Sequence, residues 1–409
     1  MRGPDTVGQP PRSLGAALDL GTARTTCWIA ERHDEGIRVL GVGEVPSEGV
    51  KAGEVVDVRA AAGAVRAAIE EAESQSGLAV QGVCAALSGA AITGTPGRAA
   101  EPVTREGQVI TPAEVRRALE RAGSVSLPKG SLKLHILPRA FTVDGTGPVR
   151  SPVGLSGAII EAQVIVVSGS AFAAENLARA VRSAGRQVAS VVAAPAAIGL
   201  GALTDEERDL GAFAIDFGAG LTAYTAWKDG GLHACGAIPV GGDLVTRDIA
   251  MGLGVERDRA EELKVAPSGD DDGRGPPPEK RESGPHGAEE VDLPEIVDAR
   301  VEEILLLVER RLGGRDIGGI FGAGVALAGG GSRTAGLEEK ARRLFGVSAR
   351  VARPGLVGTE GMNLSVPENA LACGLLRWSF DGAPRVETRQ ARWGTGWIAG
   401  AFKWLAAGF

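Results

Sequence analysis

The chain has 409 residues, of which 44% are hydrophobic and 4% aromatic, and its formal net charge is −7. This length allows several domains with buried cores, and the negative charge gives no electrostatic support to nucleic-acid binding. No stretch approaches the roughly 18 apolar residues of a membrane-spanning helix, and residues 1–13 have no apolar run of signal-peptide length. We therefore expect a disordered start and a cytosolic protein. Four scattered cysteines without a CxxC pair indicate buried thiols in a reducing compartment: Cys27, Cys84, Cys235 and Cys373.

The first predicted unit is a strand, a glycine turn and a second strand. Residues 17–30 read ALDLGTARTTCWIA, in which an apolar run ends at Asp19 and turns at Gly21. Because glycine lacks Cβ, such a turn can close on a phosphate and point N–H groups at it, and the aspartate suits a Mg²⁺–water shell. A third strand (37–45), an amphipathic helix (58–76) and a buried strand (82–89) complete a β-β-β-α-β order.

The sequence pattern differs from that of the first unit between about residues 97 and 170. A helix is predicted from Thr111 as N-cap, Pro112 at the first position and Glu114 three residues after the cap. Strands are predicted at 133–141 and 158–167. We interpret this stretch as a small inserted α+β module.

A second Asp-Gly turn appears half a chain later, where residues 214–227 read AIDFGAGLTAYTAW around Asp216 and Gly218. The strand order of the first unit recurs after it, which indicates an internal duplication. Two such turns facing each other would clamp a nucleotide polyphosphate between two related halves. The duplication carries this inference, because one Asp-Gly turn alone is weak evidence.

The last third of the chain begins with a Pro-, Gly- and Asp-rich stretch at 267–292, which predicts a solvated loop. A long helix follows from residue 293. Residues 325–332 then read VALAGGGS, a buried strand and a triple-glycine turn, with a helix expected from about residue 335. Bare glycine backbone at such a junction would let an adenine or ribose rest on it.

The order LDLGT, AIDFGAG and VALAGGGS resembles the superfamily of actin, heat-shock chaperone and sugar-kinase ATPases. Within it, residues 14–409 resemble the FtsA family of bacterial cell-division proteins. The specific motifs are LPRAFTVDG with SPVGLSGAIIEAQVIVVSGS (137–170), IPVGGDLVTRDIAMGLG (238–254) with AEELK (260–264), and ENALACGLL (368–376). The resemblance implies an α/β fold of the duplicated actin-like (ribonuclease-H-like) type, with two halves around a nucleotide cleft and an inserted small α+β subdomain.

The resemblance also implies a division of the chain into subdomains. The expected segments are a disordered start (1–13), subdomain 1A (14–96 and 171–206), the inserted subdomain 1C (97–170), subdomain 2A (207–240 and 323–380, the latter returning to 1A), subdomain 2B (241–322, with a disordered loop at 267–292), a linker (381–392) and an amphipathic helix (393–409).

ATP with Mg²⁺ is the ligand that the resemblance implies, with Asp19 and Asp216 holding the ion through water. The residues expected around the nucleotide are Asp19, Gly21, Thr22 and Arg24 in the first phosphate loop, Asp216, Gly218 and Gly220 in the second, Gly241 and Gly242 beside the phosphates, Glu261 and Lys264 beside the adenosine, and Gly329, Gly330, Gly331 and Ser332 on the adenine side. Arg24 is expected nearest the phosphates, the alternative being a surface arginine. Glu261 and Lys264 could instead form a simple i,i+3 ion pair worth ~0.2–0.5 kcal/mol.

Hydrolysis is expected to be slow or nearly absent. Many superfamily members place a glutamate before a proline in the helix that links the halves, but here Ala194 precedes Pro195 and can neither accept a proton nor orient water. In the second loop Leu221 stands where a hydroxyl commonly follows, and Thr222 is expected to point to the other face of its strand. No catalytic residue is therefore assigned.

Residues 393–409, WGTGWIAGAFKWLAAGF, have the pattern of an interfacial amphipathic helix that binds an anionic membrane. The polar stretch 381–392 would isolate this helix from the body, although docking on the protein's own core is the alternative. Its membrane-facing residues are expected to be Trp397, Ile398, Phe402, Trp404, Leu405 and Phe409, with Lys403 opposite.

The family resemblance implies a tether that anchors filaments of the tubulin-like protein FtsZ to the cytoplasmic face of the inner membrane at the division septum. It also implies self-association into filaments and contact with later division proteins. Arg300 and Glu303 match charged positions for the C-terminal peptide of FtsZ, while a solvated helix face is the plain alternative.

Two other functions stay open at this point. One is a pilus-assembly adaptor of the PilM type, which shares the inserted module but should lack the amphipathic segment. The other is a sugar-kinase-like phosphotransferase, which would need a catalytic carboxylate for a substrate hydroxyl and would have no use for the inserted module.

Overall fold

The computed structural model describes residues 14–33, 36–103, 109–265, 293–314, 317–334, 336–358 and 362–382. The predicted disordered start, the loop at 267–292, the linker from residue 383 onward and the amphipathic segment 393–409 lie outside the described residues. No helix among the described residues is both long enough and apolar enough to cross a membrane.

The first half opens as three antiparallel strands, a short hairpin, a helix and a further strand. These are β1 (Leu14–Leu20), β2 (Arg24–His33), β3 (Gly36–Pro46), β4 (Val50–Lys51), β5 (Glu54–Val55), α1 (Val58–Ser76) and β6 (Gly82–Leu87). Helix α1 has the predicted bounds. It starts where the Asp57 carboxylate accepts N–H donors of the first turn, and it ends at Gly77 in the left-handed conformation.

The inserted module consists of β7 (Thr93–Pro102), α2 (Pro112–Ala122), β8 (Ser131–Val143), β9 (Thr146–Val149) and β10 (Ile159–Ser170). The predicted capping box at Thr111 and Glu114 is present, with the Thr111 backbone N–H donating to the Glu114 carboxylate at 2.9 Å. The module has its own core around Phe141 and Ile160. Strand β7 runs across the expected subdomain boundary at residue 97.

A connecting segment leads into the second half through α3 (Ala171–Ser183), β11 (Gln187–Ala193), α4 (Ala194–Ala202) and α5 (Asp205–Leu210). The rest of the described chain contains β12 (Ala212–Phe217), β13 (Thr222–Lys228), β14 (Gly231–Ile238), α6 (Gly242–Leu253), α7 (Arg257–Val265), α8 (Leu293–Leu312), α9 (Ile317–Ile320), β15 (Gly324–Ala328), α10 (Leu337–Phe345) and β16 (Ala349–Val351) of the second half, followed by β17 (Val357–Gly358) and α11 (Ala370–Asp381), which return to the first half.

The two halves have the same strand topology, which confirms the predicted duplication. The first sheet has the order β11-β6-β1-β2-β3-β17, and the second contains the matching run β16-β15-β12-β13-β14. In each, three antiparallel strands are followed by a parallel strand on the far side of the first: β6 lies parallel to β1, and β15 lies parallel to β12. The equivalent ends of β1 and β12 are where the two Asp-Gly turns occur.

The inserted module extends the second sheet rather than forming a separate layer. Strands β7, β10, β8 and β9 continue from β14, so that nine strands form one sheet. The junction is a single pair, Gly236 with Thr93. The predicted burial of the four cysteines is confirmed, and all four are free thiols.

Candidate functional site

The two Asp-Gly turns adopt the same geometry. Asp19 and Asp216 are each the penultimate residue of their strand. The N–H of Gly21 donates to the carbonyl of Arg24 at 3.0 Å, and the N–H of Gly218 donates to the carbonyl of Leu221 at 2.9 Å. A tight turn closed by this bond leaves the intervening backbone free to face a ligand.

The two turns lie against each other where the two halves meet, a place called the crevice below. A Cβ on Gly220 of the second turn would stand 2.7 Å from Oγ1 of Thr22 in the first. The absence of a side chain at Gly220 therefore allows the close approach of the two loops. The sequence correctly predicted that the two turns lie close together.

The aspartates of the two turns both have a raised pKa. Burial raises the pKa of Asp19 to about 7, the negative charge of Asp216 adds to the increase, and Arg24 opposes it. Burial likewise raises the pKa of Asp216 to about 6, again opposed by Arg24. Two carboxylates with one opposing cation form a pair that a further cation would stabilise in the ionised form.

Arg24 braces the first loop against a distant part of the chain. Its guanidinium forms an ion pair with Glu44 at 3.0 Å and donates to the main-chain carbonyl of Glu368 at 2.9 Å. Glu368 in turn pairs through its carboxylate with Arg333, from the segment after the triple-glycine turn. Sequence reasoning found Arg24 but missed Glu44 and Glu368, since they are remote in sequence.

Helix α6 begins directly on the second turn. The N–H of Gly242 donates to the carbonyl of Gly218 at 2.9 Å, and the N–H of Asp243 donates to the carbonyl of Ala219 at 2.8 Å. A Cβ on Gly241 would lie 2.5 Å from the same carbonyls, so no side chain fits there. The arrangement brings the positive end of a helix dipole to the crevice, where it favours an anion.

The side chains of Glu261 and Lys264 form one cluster with Thr246 beneath the start of α6. The Lys264 ammonium donates to the Glu261 carboxylate at 2.6 Å, to the Thr246 hydroxyl at 2.9 Å and to the carbonyl of Gly242 at 3.4 Å. The Lys264 side chain is 17% exposed. The pair is therefore more than a surface i,i+3 contact, because it reaches the glycines beside the second turn.

The triple-glycine turn lies against Asp216. Gly329 has a φ of +78°, and a Cβ there would stand 2.5 Å from Oδ1 of Asp216. At Gly330 a Cβ would meet nothing within 4 Å, so this position faces open space. The Ser332 hydroxyl donates to the carbonyl of Gly329 at 2.7 Å and is buried. A 3₁₀ turn over Gly330–Arg333, which the sequence did not predict, separates the glycines from α10.

The two positions considered for hydrolysis, Ala194 and Thr222, are both buried. Ala194 is the first residue of α4 and is buried. Thr222 is fully buried, and its hydroxyl donates to the carbonyl of Val240 at 2.8 Å. Ala194 has no side-chain group that could accept a proton.

The expected partner residues lie on α8, away from this crevice. The Arg300 guanidinium donates to the Asp248 carboxylate of α6 at 2.6 Å and also pairs with Glu303. These bonds raise the pKa of Arg300 above its ordinary value. Arg300 therefore joins two helices while it is 24% exposed.

A magnesium nucleotide fits the residues of the crevice. Two aspartates share one opposing cation, helix α6 begins on the backbone of the second turn, and open space lies in front of Gly330. Anionic phosphates and a hard divalent cation are the groups that these features stabilise.

Two family models match the chain. The family "Cell division protein FtsA" matches residues 213–374. The "SHS2 domain inserted in FTSA" matches residues 89–168, which starts eight residues before the expected boundary and includes all of β7.

Curated relatives match over most of their length. The cell division protein FtsA of Bacillus subtilis (strain 168) is 30% identical over 383 residues, covering 92% of this chain and 86% of its own. The FtsA of Agrobacterium fabrum (strain C58) is 31% identical over 431 residues, covering 96% and 94% respectively.

Solved structures share the fold. A PilM–PilN type IV pilus biogenesis complex has a TM-score of 0.66 at 20% identity, covering 92% of this chain and 100% of the other. MreB5 of Spiroplasma citri bound to ADP has a TM-score of 0.50 at 12% identity, covering 90% and 96%. With an actin-like fold, the inserted module and relatives of about 30% identity over most of its length, the chain belongs to the FtsA family of cell-division proteins.

Proposed function

We propose that this chain binds Mg-ATP in the crevice between its halves and uses it as a structural ligand. The observation that carries the proposal is the pair of identical turns that bring Asp19 and Asp216 together. MreB5, which shares the fold, is bound to ADP in its solved structure, and this supports nucleotide binding by a chain of this fold.

Different residues around the crevice would bind different parts of the nucleotide. The backbone inside the two closed turns would supply N–H donors for phosphate oxygens, the positive end of the α6 dipole would stabilise their charge, and the two aspartates would hold the waters of a magnesium ion. The Lys264 cluster and the triple-glycine turn support the nucleoside on the far side. A bound magnesium ion would supply charge neutralisation at the phosphates. Because Ala194 cannot act as a base, the bound nucleotide persists and stabilises the closed crevice by mass action.

Titration calorimetry with ATP in the presence of Mg²⁺ tests this proposal. The wild-type chain should bind, and Asp216→Asn should bind at least about tenfold more weakly. Steady-state phosphate release should be slow or undetectable. A chain that binds no nucleotide, or that turns over ATP rapidly, contradicts the proposal.

We further propose that the protein tethers FtsZ filaments to the cytoplasmic face of the cell membrane at the division septum. Its membership of a cell-division family supports this role, and the amphipathic pattern of residues 393–409 supports the membrane contact. One copy should bind lipid reversibly, whereas a filament of copies should bind far more tightly through effective concentration. Contact with later division proteins belongs to the same role.

Flotation with anionic liposomes tests the tether. Removal of residues 393–409 should abolish co-flotation, and so should Trp404→Glu in the full chain, while Lys403→Arg, which keeps the charge, should float normally. Unchanged flotation after the removal would exclude this segment as the membrane contact.

The FtsZ contact is proposed for Arg300 and Glu303 on α8. Binding of a labelled C-terminal FtsZ peptide should weaken in Arg300→Ala, because both a surface charge and the α6–α8 link are lost. Arg310→Ala on the same helix is the matched control, since Arg310 is exposed. Equal affinity of the two variants would argue against this surface.

A further inference from the structure

The hairpin of β4 and β5 ends in a turn, residues 51–54, that lies between the two phosphate loops. Ala52 has a φ of +47° and Gly53 a φ of +74°, so both central residues are left-handed. This is the geometry of a tight two-residue hairpin turn. The sequence did not predict the hairpin, and nothing in the site described above assigns it a role.

The turn is bonded to the first loop. The N–H of Gly53 donates to the Thr22 hydroxyl oxygen at 2.9 Å. A hydroxyl that accepts a bond in this way directs its own proton elsewhere, and that proton can be donated to a ligand. Gly53 thereby fixes the direction in which Thr22 presents its O–H.

The same turn is packed against the second loop. A Cβ on Gly220 would stand 2.9 Å from Cα of Ala52, and a Cβ on Gly53 would stand 2.6 Å from Cδ1 of Leu221. Two glycines are thus required for the turn and the two loops to approach. The turn contacts both loops, so its position depends on the distance between them.

The base of the hairpin is held firmly. The N–H groups of Val56 and Asp57 both donate to the carbonyl of Gly49, at 2.8 and 3.0 Å. The Glu54 side chain lies on the backbone of Gly89. A turn anchored in this way is pre-organised, so that it can position Thr22 without an ordering cost on binding.

We infer that the turn at residues 51–54 is a third element of the nucleotide site, in which Gly53 positions the Thr22 hydroxyl toward the polyphosphate of a bound nucleoside triphosphate. This inference rests on the proposed nucleotide binding. Gly53 is a positioning residue, since it acts through Thr22.

The turn between β8 and β9 offers a matched control. There Asp144 has a φ of +50° and Gly145 a φ of +75°, nearly the values at Ala52 and Gly53, but a Cβ on Gly145 would meet nothing within 4 Å. Asparagine tolerates the left-handed region, so that Gly53→Asn and Gly145→Asn differ mainly in the space available to the new side chain.

The test measures Mg-ATP affinity by titration calorimetry and the melting temperature of each variant. Gly53→Asn should weaken binding at least about tenfold, and Gly145→Asn should change it less than about twofold. Thr22→Val should lose as much as Gly53→Asn, whereas Thr22→Ser, which keeps the hydroxyl, should bind nearly as wild type. In the double variant Thr22→Val with Gly53→Asn, the second change should add less than about a further twofold, because both act on one bond.

The following results would overturn the inference about the turn at residues 51–54. If the wild type binds Mg-ATP while Gly53→Asn matches Gly145→Asn, or if the losses of the double variant multiply, the turn is a structural hairpin only and the inference is wrong. If Gly53→Asn fails to fold, the comparison of Thr22→Val with Thr22→Ser still decides, since equal affinity of those two overturns the inference. A wild-type chain that binds no nucleotide overturns the proposed function and this inference with it.

Discussion

Gly374 of α11 lies directly on the main-chain carbonyl of Ala197 in α4, and a Cβ on Gly374 would overlap that oxygen. The contact is reciprocal, because a Cβ on Gly201 of α4 would overlap the carbonyl of Ala370 in α11. Helix α4 leads from the first half into the second, and α11 returns to the first sheet. The two halves are therefore connected where two helices cross with backbone in contact.

Gly374→Ala should force these helices apart. We expect a loss of about 1–3 kcal/mol in the free energy of unfolding, since an added methyl has no space to occupy. Urea unfolding measures the effect. Gly63→Ala is the control: Gly63 lies within α1 with nothing within 4 Å of a Cβ, and alanine there should stabilise by about 0.5–1 kcal/mol. Equal midpoints for the two variants would contradict the close contact.

Local pattern explains what the sequence predicted well. The Asp-Gly turns, helix α1 and the capping box at Thr111 each depend on residues within a few positions of one another. Their chemistry is therefore visible in a short window. The duplication was visible for the same reason, because two short motifs repeat.

Contacts between distant residues explain what the sequence missed. Arg24 donates to the carbonyl of Glu368, 344 positions away, and no local pattern indicates that bond. The hairpin turn at Ala52 and Gly53 lacks the Asn-Gly or Asp-Gly signature of such turns. Its closeness to Gly220 arises only when the two halves pack.

Asp19→Asn should make the free protein more stable at neutral pH and weaken its ligand binding. Because the folded-state pKa of Asp19 is raised from 3.8 to about 7, the folded protein binds a proton there more tightly than the unfolded chain does. Its contribution to stability is fully present below about pH 4 and is lost as the pH rises to about 7. The asparagine variant does not lose it, and its advantage should reach about 1–3 kcal/mol at pH 8.

Thermal melts in EDTA between pH 4 and pH 8 measure this advantage, with Asp258→Asn on the exposed face of α7 as control. Saturating Mg-ATP should remove or reverse the difference at pH 8, because the wild type gains more ligand stabilisation than the variant, about 2.7 kcal/mol at 100 times its Kd. A difference in melting temperature between Asp19→Asn and wild type that does not vary with pH would refute the raised pKa of Asp19.

Lys264→Met should weaken nucleotide binding by about tenfold while it lowers the melting temperature only slightly. The ammonium supports the carbonyl of Gly242 and the hydroxyl of Thr246 at the start of α6, and it is mostly buried. Titration with Mg-ATP measures the loss. Lys340→Met is the matched control, because Lys340 is equally shielded but pairs with Asp298 on α8. A loss below about twofold at Lys264 would leave Glu261 and Lys264 as an ion pair without a role in binding.

Arg24→Ala should weaken Mg-ATP binding more than Arg24→Lys does, because lysine keeps the charge beside the two aspartates but loses the planar fork that reaches both Glu44 and Glu368. We expect losses of at least about tenfold for alanine and of a few-fold for lysine. Arg32→Ala on the same strand is the control, since Arg32 pairs with Asp381 at the far end of β2.

Glu44→Gln separates two roles of Arg24. If Arg24 serves mainly as a brace, Glu44→Gln should reproduce much of the loss; if its charge acts on the phosphates, freeing it from Glu44 should maintain or strengthen binding. Equal binding by Arg24→Ala and Arg32→Ala would exclude both roles.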